Sequence, residues 1–145
     1  AVFLSVDGEL DTQPLIEQLW RAGKRVYLPV LHPFSAGNLL FLNYHPQSEL
    51  VMNRLKIHEP KLDVRDVLPL SRLDVLVTPL VAFDEYGQRL GMGGGFYDRT
   101  LQNWQHYKMQ PVGYAHDCQL VEQLPVEEWD IPLPAVVTPS KVWEW

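Results

Sequence analysis

The sequence predicts a single α/β domain in which helices cover both faces of a mostly parallel central sheet. Three observations carry this. Short apolar runs (VFLSV, VYLPVL, LLFLNY, DVLVTP, AVVT) recur between polar, turn-forming stretches. The first run is followed by an amphipathic helical pattern and a second run, a βαβ unit with a right-handed crossover. The run DVLVTP is β-branched and apolar on both faces, as a central parallel strand is. The expected fold is therefore a three-layer, Rossmann-like domain over residues 1–145, long enough to bury a real core.

The elements follow in order. Residues 2–6 read as a strand, and Asp7-Gly8-Glu9 as a turn. A strand of this kind is interior to a sheet, so the chain is expected to begin mid-domain. Asp11 or Thr12 caps a helix over 13–22, with Pro14 in its first turn, Leu15, Ile16 and Leu19 as its apolar stripe, and Gly23 as its stop. Residues 25–31 and 39–44 are the next strands. Ser48 is placed to cap a short helical piece through Leu55, ahead of a turn at Glu59-Pro60. Strand 74–79 precedes a glycine-rich stretch, a helix over 94–104, and late strands at 111–115 and 135–138.

Composition narrows the function. Hydrophobic residues make up 46% and charged residues 21%, a soluble globular balance, with a net charge of −6. No run of five or more basic residues offers a nucleic-acid surface, and no apolar run approaches the ~18 residues of a membrane span. Cys118 is the single cysteine, so no internal disulfide forms, which suits a cytoplasmic setting; it reads as a small buried apolar residue. The five histidines lack H-x-H, H-x₃-H and H-E-x-x-H spacing, which argues against zinc.

The stretch RLGMGGGFYDRTL carries the chemistry. Five of the nine glycines lie between Gly87 and Gly95, more than a bend requires, since each costs folding entropy. Clustered glycines let backbone N–H groups approach an anion, and a helix start after them adds unpaired N–H groups. The stretch matches neither G-x-G-x-x-G-A nor a P-loop, so from the residues alone a phosphate cradle and a structural bend both stand. Arg89 enters the loop and is the better phosphate contact; Arg99 is a second one or a surface ion pair. Asp98, in the first helical turn, is either a dipole partner or a carboxylate that holds Mg²⁺ beside a phosphate. Tyr97, Phe83 and Trp104 are each a stacking surface or core.

With AFDEYGQRLGMGGGFYDRTL in view, the chain resembles the 5-formyltetrahydrofolate cyclo-ligase (5,10-methenyltetrahydrofolate synthetase) family, whose signature residues 78–99 match almost throughout. LSVDGELDT, the EP of IHEP, and LPVEEWDIPLPAVVT extend the match over nearly the whole chain. The resemblance implies ATP-dependent ring closure of 5-formyltetrahydrofolate, with or without a polyglutamate tail, to 5,10-methenyltetrahydrofolate, releasing ADP and phosphate. It implies ATP as co-substrate and Mg²⁺ as cofactor, in a cytoplasmic monomer or weak homodimer that engages neither nucleic acid nor membrane. Arg89, Leu90, Gly91, Met92, Gly93, Gly94, Gly95, Phe96 and Tyr97 correspond to the ATP segment, with Arg89 and Tyr97 catalytic. Leu4, Glu9 and the residues Met92 to Phe96 correspond to folate contacts, and Asp98 and Asp130 to Mg²⁺ ligands. Glu59 is a further pocket candidate. The family's short N-terminal helical segment, with Lys and Arg that reach the ATP phosphates, has no counterpart in these residues. The alternative reading is a protein that binds folate or nucleotide without turnover.

Overall fold

A computed structural model describes residues 1–5, 9–91, 95–127 and 130–145. After an extended opening segment come α1 (Gln13–Arg21), β1 (Val26–Leu31), β2 (Leu39–Tyr44), β3 (Leu50–Met52), β4 (His58–Pro60), β5 (Val67–Leu68), β6 (Val75–Thr78), β7 (Ala82–Phe83) and β8 (Arg89–Leu90). They are followed by α2 (Phe96–Leu101), β9 (Gln110–Tyr114), β10 (Ala135–Val137) and β11 (Val142–Glu144).

The opening segment does what an interior strand does, although it has no regular ladder of its own. Ala1 N donates to Val75 O at 2.6 Å, Val77 N to Ala1 O at 2.8 Å, and Val2 N to Tyr27 O at 2.9 Å. Its backbone thus threads between β6 and β1. Asp7, placed with Gly8 in the expected turn, lies outside the described residues, as does Val6. In α1 the two expected cap residues divide the work. Asp11 Oδ1 accepts from Gln13 N at 3.0 Å, while Thr12 turns its hydroxyl inward to donate to Phe3 O at 2.6 Å. Gly23, at φ +75°, follows the helix in the left-handed conformation that ends it.

The sheets are mixed. β6, β9 and β10 pair in parallel, as expected, with α2 in the crossover between β6 and β9, and β11 closes that sheet antiparallel. β1, β2 and β5 pair antiparallel, because the short 32–38 connection makes β1–β2 a hairpin.

Two expectations are corrected. Residues 48–60 form a β-hairpin, with β3 paired to β4 through Leu50↔Pro60, Val51↔Glu59 and Met52↔His58, in place of a helical piece and an Glu59-Pro60 turn. Asn53 decides this. Its Oδ1 accepts from Leu55 N (2.9 Å) and Ile57 N (3.2 Å), closing a tight turn that Lys56 completes at φ 60°. The second correction is α2, which is only six residues long. The expected 94–104 helix is cut by Asn103 at φ −171°, after which Trp104–His106 make a separate 3₁₀ turn.

Consecutive strand residues feed two cores, as strand alternation requires. Val77, with Val2, Phe3, Val26 and Leu28, packs on Ile16 of α1. Leu76, with Tyr27, Phe41, Phe83 and Val136, packs on Leu101 of α2. Each fully buried Leu or Val contributes about 1.5–3 kcal/mol. Among the described residues no helix is long and apolar enough to cross a membrane.

Candidate active site

The chain leaves β6 through Pro79 and Leu80 and turns back through the β7–β8 hairpin, which delivers Arg89 to the base of a cavity. Asp84 fixes that hairpin. Fully buried, it accepts from Tyr86 N (2.9 Å) and Gln88 N (3.0 Å) on Oδ1 and from Leu124 N (3.0 Å) on Oδ2. The glycine-rich stretch therefore follows an inserted hairpin and not the central strand directly, though still beyond the C-terminal end of β6.

The cavity has a volume of about 500 Å³. One wall holds Arg89, Leu90, Gly91, Gly95, Phe96, Tyr97 and Asp98. The apolar part of the lining comes from Leu28, Pro29 and Leu31 of β1 with Leu55 and Ile57 from the β3–β4 turn. Leu4 and Glu9 of the opening segment and Asp130 from the chain leading to β10 complete it. Every expected site residue within the described part of the chain lines this one cavity, and so does Glu59. Met92, Gly93 and Gly94 lie outside the described residues.

Arg89 is the electrostatic centre. Its side chain is 4% exposed and that of Asp98 21%, and Nη2 donates to Asp98 Oδ1 at 3.1 Å. Nη1 donates to Pro79 O at 3.3 Å, whereas Nε is buried without a partner among the described residues. A buried donor left unsatisfied is costly, so a guanidinium held this way is suited to an incoming anion. The guanidinium carbon lies 6.0 Å from the Tyr97 ring centroid. Burial pushes the Tyr97 hydroxyl well above its ordinary range, with Arg89 opposing and Glu9 adding to the shift. Tyr97 is therefore a neutral hydrogen-bond donor at physiological pH and not a base. Close approach explains Gly91: a Cβ there would stand 2.8 Å from Arg89 Nη1.

The two carboxylates meet the needs of a hard cation. Asp98 Oδ1 takes Arg89 and, at 3.4 Å, Ile131 N; Asp130 Oδ2 takes Glu127 N at 2.9 Å. No bond among the described residues occupies the second oxygen of either group, so each retains an oxygen to offer. No cluster of three or more metal-ligating side chains exists among the described residues. A cation held here would complete its shell with water and ligand oxygens, the habit of Mg²⁺ with phosphates.

Other readings resolve differently. Arg99 is exposed, donates from Nε to Gly37 O at 2.6 Å, and ties α2 to the β1–β2 loop. Phe83 is fully buried core, edge-on to Trp143, and Trp104 packs against the same core; of the three aromatics only Tyr97 reaches the cavity. Cys118 is exposed rather than buried, because it sits in a 3₁₀ turn after β9. Sequence reasoning missed Asn53 and Leu55 because it took their segment for a helix, and it assigned Ile57 no role. The available signal was the turn-favouring Asn53 directly after the apolar run Leu50-Val51-Met52.

Comparisons with known proteins identify the family. A family model described as the 5-formyltetrahydrofolate cyclo-ligase family matches residues 1–139. The 5-formyltetrahydrofolate cyclo-ligase of Escherichia coli (strain K12) is 97% identical over 145 residues, 100% of this chain and 80% of that protein. The Haemophilus influenzae 5-formyltetrahydrofolate cyclo-ligase is 60% identical over 133 residues, 92% of this chain and 71% of that one. An NMR structure of Aquifex aeolicus 5,10-methenyltetrahydrofolate synthetase superposes with a TM-score of 0.79 at 31% identity, covering 99% of this chain and 69% of that one. The chain belongs to the 5-formyltetrahydrofolate cyclo-ligase family.

Proposed function

We infer that the chain catalyses the ATP-dependent cyclisation of 5-formyltetrahydrofolate to 5,10-methenyltetrahydrofolate, with release of ADP and phosphate. The chemistry defines the task. A formamide carbon is a poor electrophile and its oxygen cannot depart as oxide. Transfer of the γ-phosphoryl group converts that oxygen into a leaving group; N10 then attacks the carbon, loses its proton, and phosphate departs. No protein nucleophile is needed, so catalysis consists of alignment and charge neutralisation.

The residues divide accordingly. Arg89 offers its guanidinium to the phosphoryl oxygens, and Tyr97 donates a hydrogen bond without competing as a base. Leu90, Gly91, Gly95 and Phe96 bring backbone N–H groups against the triphosphate; Met92, Gly93 and Gly94 join this ATP segment by the family signature alone. The folate contacts are Gly95 and Phe96 together with Leu4 and Glu9, which line the same cavity. Met92, Gly93 and Gly94 are assigned to the folate by the family signature alone. Asp98 and Asp130 are the residues that would hold Mg²⁺, which when bound neutralises phosphate charge. The layers on either side of β6 and β9 fit a Rossmann-like arrangement, with the site beyond the strand ends. The substrate is a free or polyglutamylated folate, and the setting cytoplasmic.

One observation carries this reading: a single cavity joins the Arg89–Tyr97 wall, two carboxylates and an apolar wall large enough for a ring system. The test is to incubate the purified chain with Mg-ATP and 5-formyltetrahydrofolate and follow the methenyl chromophore. ATP-dependent appearance of product is expected. Folate binding without product overturns turnover in favour of a binding protein.

A further inference from the structure

The β3–β4 turn lines the cavity with Leu55 and Ile57, yet Leu55 is 48% exposed and little core packing holds it. What fixes it is a chain of hydrogen bonds. Glu59 Oε2 accepts from Leu31 N of β1 at 3.1 Å and from Asn53 Nδ2 at 3.0 Å. Asn53 Oδ1 in turn accepts from Leu55 N and Ile57 N. Asn53 N also donates to Ile57 O at 3.0 Å. A half-buried carboxylate thus joins β1, which pairs along its whole length with β2, to the turn that carries the apolar wall.

We propose that Glu59 and Asn53 act as a positioning clamp that sets the β3–β4 turn against the substrate ring system. This rests on the functional reading above and names how its folate side is built. Leu55 and Ile57 line the cavity together with Leu4, the residue assigned to the folate, and Leu4, Ile57 and His58 also line a neighbouring cavity together. Sharing the lining with Leu4, the clamp governs folate affinity, and ATP affinity is left to Arg89 and its neighbours. Since both donors meet one oxygen, the clamp needs an acceptor at that point and not a negative charge.

The chemistry permits a test by reversal. Asn53→Asp keeps the oxygen that holds Leu55 N and Ile57 N but sets a carboxylate against Glu59, opening the clamp with the turn intact. Adding Glu59→Gln restores it, because the new amide donates to the carboxylate at position 53 and its oxygen still receives Leu31 N. In steady-state kinetics and calorimetric titration with 5-formyltetrahydrofolate, Asn53→Asp raises the KM and Kd for folate about tenfold, and the pair of substitutions recovers most of this. The KM for ATP and the melting temperature stay near those of the unaltered chain. The clamp is overturned if Asn53→Asp leaves folate KM unchanged, if both KM values rise alike, or if the second substitution gives no rescue. A loss in Glu59→Gln alone as large as that in Asn53→Asp also overturns it, since the charge would then touch substrate directly. Failure of the unaltered chain to bind 5-formyltetrahydrofolate overturns the functional reading itself, a result distinct from all of these.

Discussion

Arg89 Nη2 and Asp98 Oδ1 meet at 3.1 Å in a pair that is almost wholly buried on the arginine side. The residue assigned to phosphate and the residue assigned to Mg²⁺ thus hold each other before either meets a ligand. Asp98→Asn removes the negative charge and leaves Arg89 buried with only a neutral partner. Turnover with Mg-ATP is expected to fall by about 10²-fold or more, as for other losses of preorganised charge. Stability is expected to fall by about 1–3 kcal/mol, because a buried charged donor loses its charged acceptor. Melting curves without nucleotide isolate the second effect. Turnover like that of the unaltered chain would refute the metal role of Asp98.

Tyr97 makes a pH prediction. Its hydroxyl is raised above the ordinary value of 10.0 in the folded chain, chiefly by burial. The neutral form is favoured in the fold, so this contribution is fully present below pH 10 and is lost as pH rises past it. Alkaline denaturation of the unaltered chain should therefore steepen above pH 10, and Tyr97→Phe should flatten that limb. Chemical denaturation midpoints measured across pH 8 to about 11 check this. Curves of equal slope for the two proteins would contradict burial as the cause.

How much was legible in sequence depends on where the determining bonds lie. Helix α1, strand β1 and the parallel β6–β9–β10 strands were legible because their signals are local: periodicity, a cap and β-branched runs. The expected first strand over 2–6 is an extended segment with only isolated backbone bonds. The cavity wall made by Arg89, Tyr97 and Asp98 was legible through its signature. The 48–60 hairpin was not, because its turn is set by Asn53 and its placement by the contact from Glu59 to Leu31, 28 residues away. The short α2 was missed for a different reason. Residues 96–106 are continuous in helical pattern, yet Asn103 breaks the backbone where Trp104 turns into the core.

Gly95 tests how that short helix begins. It starts α2 at φ +71°, and a Cβ there would lie 2.9 Å from Arg99 Nη1. Gly95→Ala is expected to destabilise by about 1–2 kcal/mol through the left-handed backbone, and to displace Arg99 from Gly37 O. Because Gly95 lines the cavity in the stretch assigned to both ligands, the KM for ATP and the KM for folate should both rise. Denaturant midpoints and separate substrate titrations distinguish the two effects. Unchanged stability would mean that the backbone at position 95 relaxes freely.

Asp84 belongs to the motif AFD, whose carboxylate invites a catalytic reading, and the structure gives it another role. Buried completely, it accepts three backbone N–H groups: Tyr86 and Gln88 within the β7–β8 turn, and Leu124 from a distant loop. Removing it strands those donors away from water. Asp84→Ala should therefore cost about 2–4 kcal/mol, near the upper range for a lost buried acceptor with several partners. In a domain of this size that corresponds to a drop of roughly 6–12 °C in melting temperature. Arg89 directly follows that turn, so the folded fraction should show a higher KM for ATP with the KM for folate little changed. A variant that melts normally yet loses turnover would show that the carboxylate takes part in the reaction rather than in holding the hairpin.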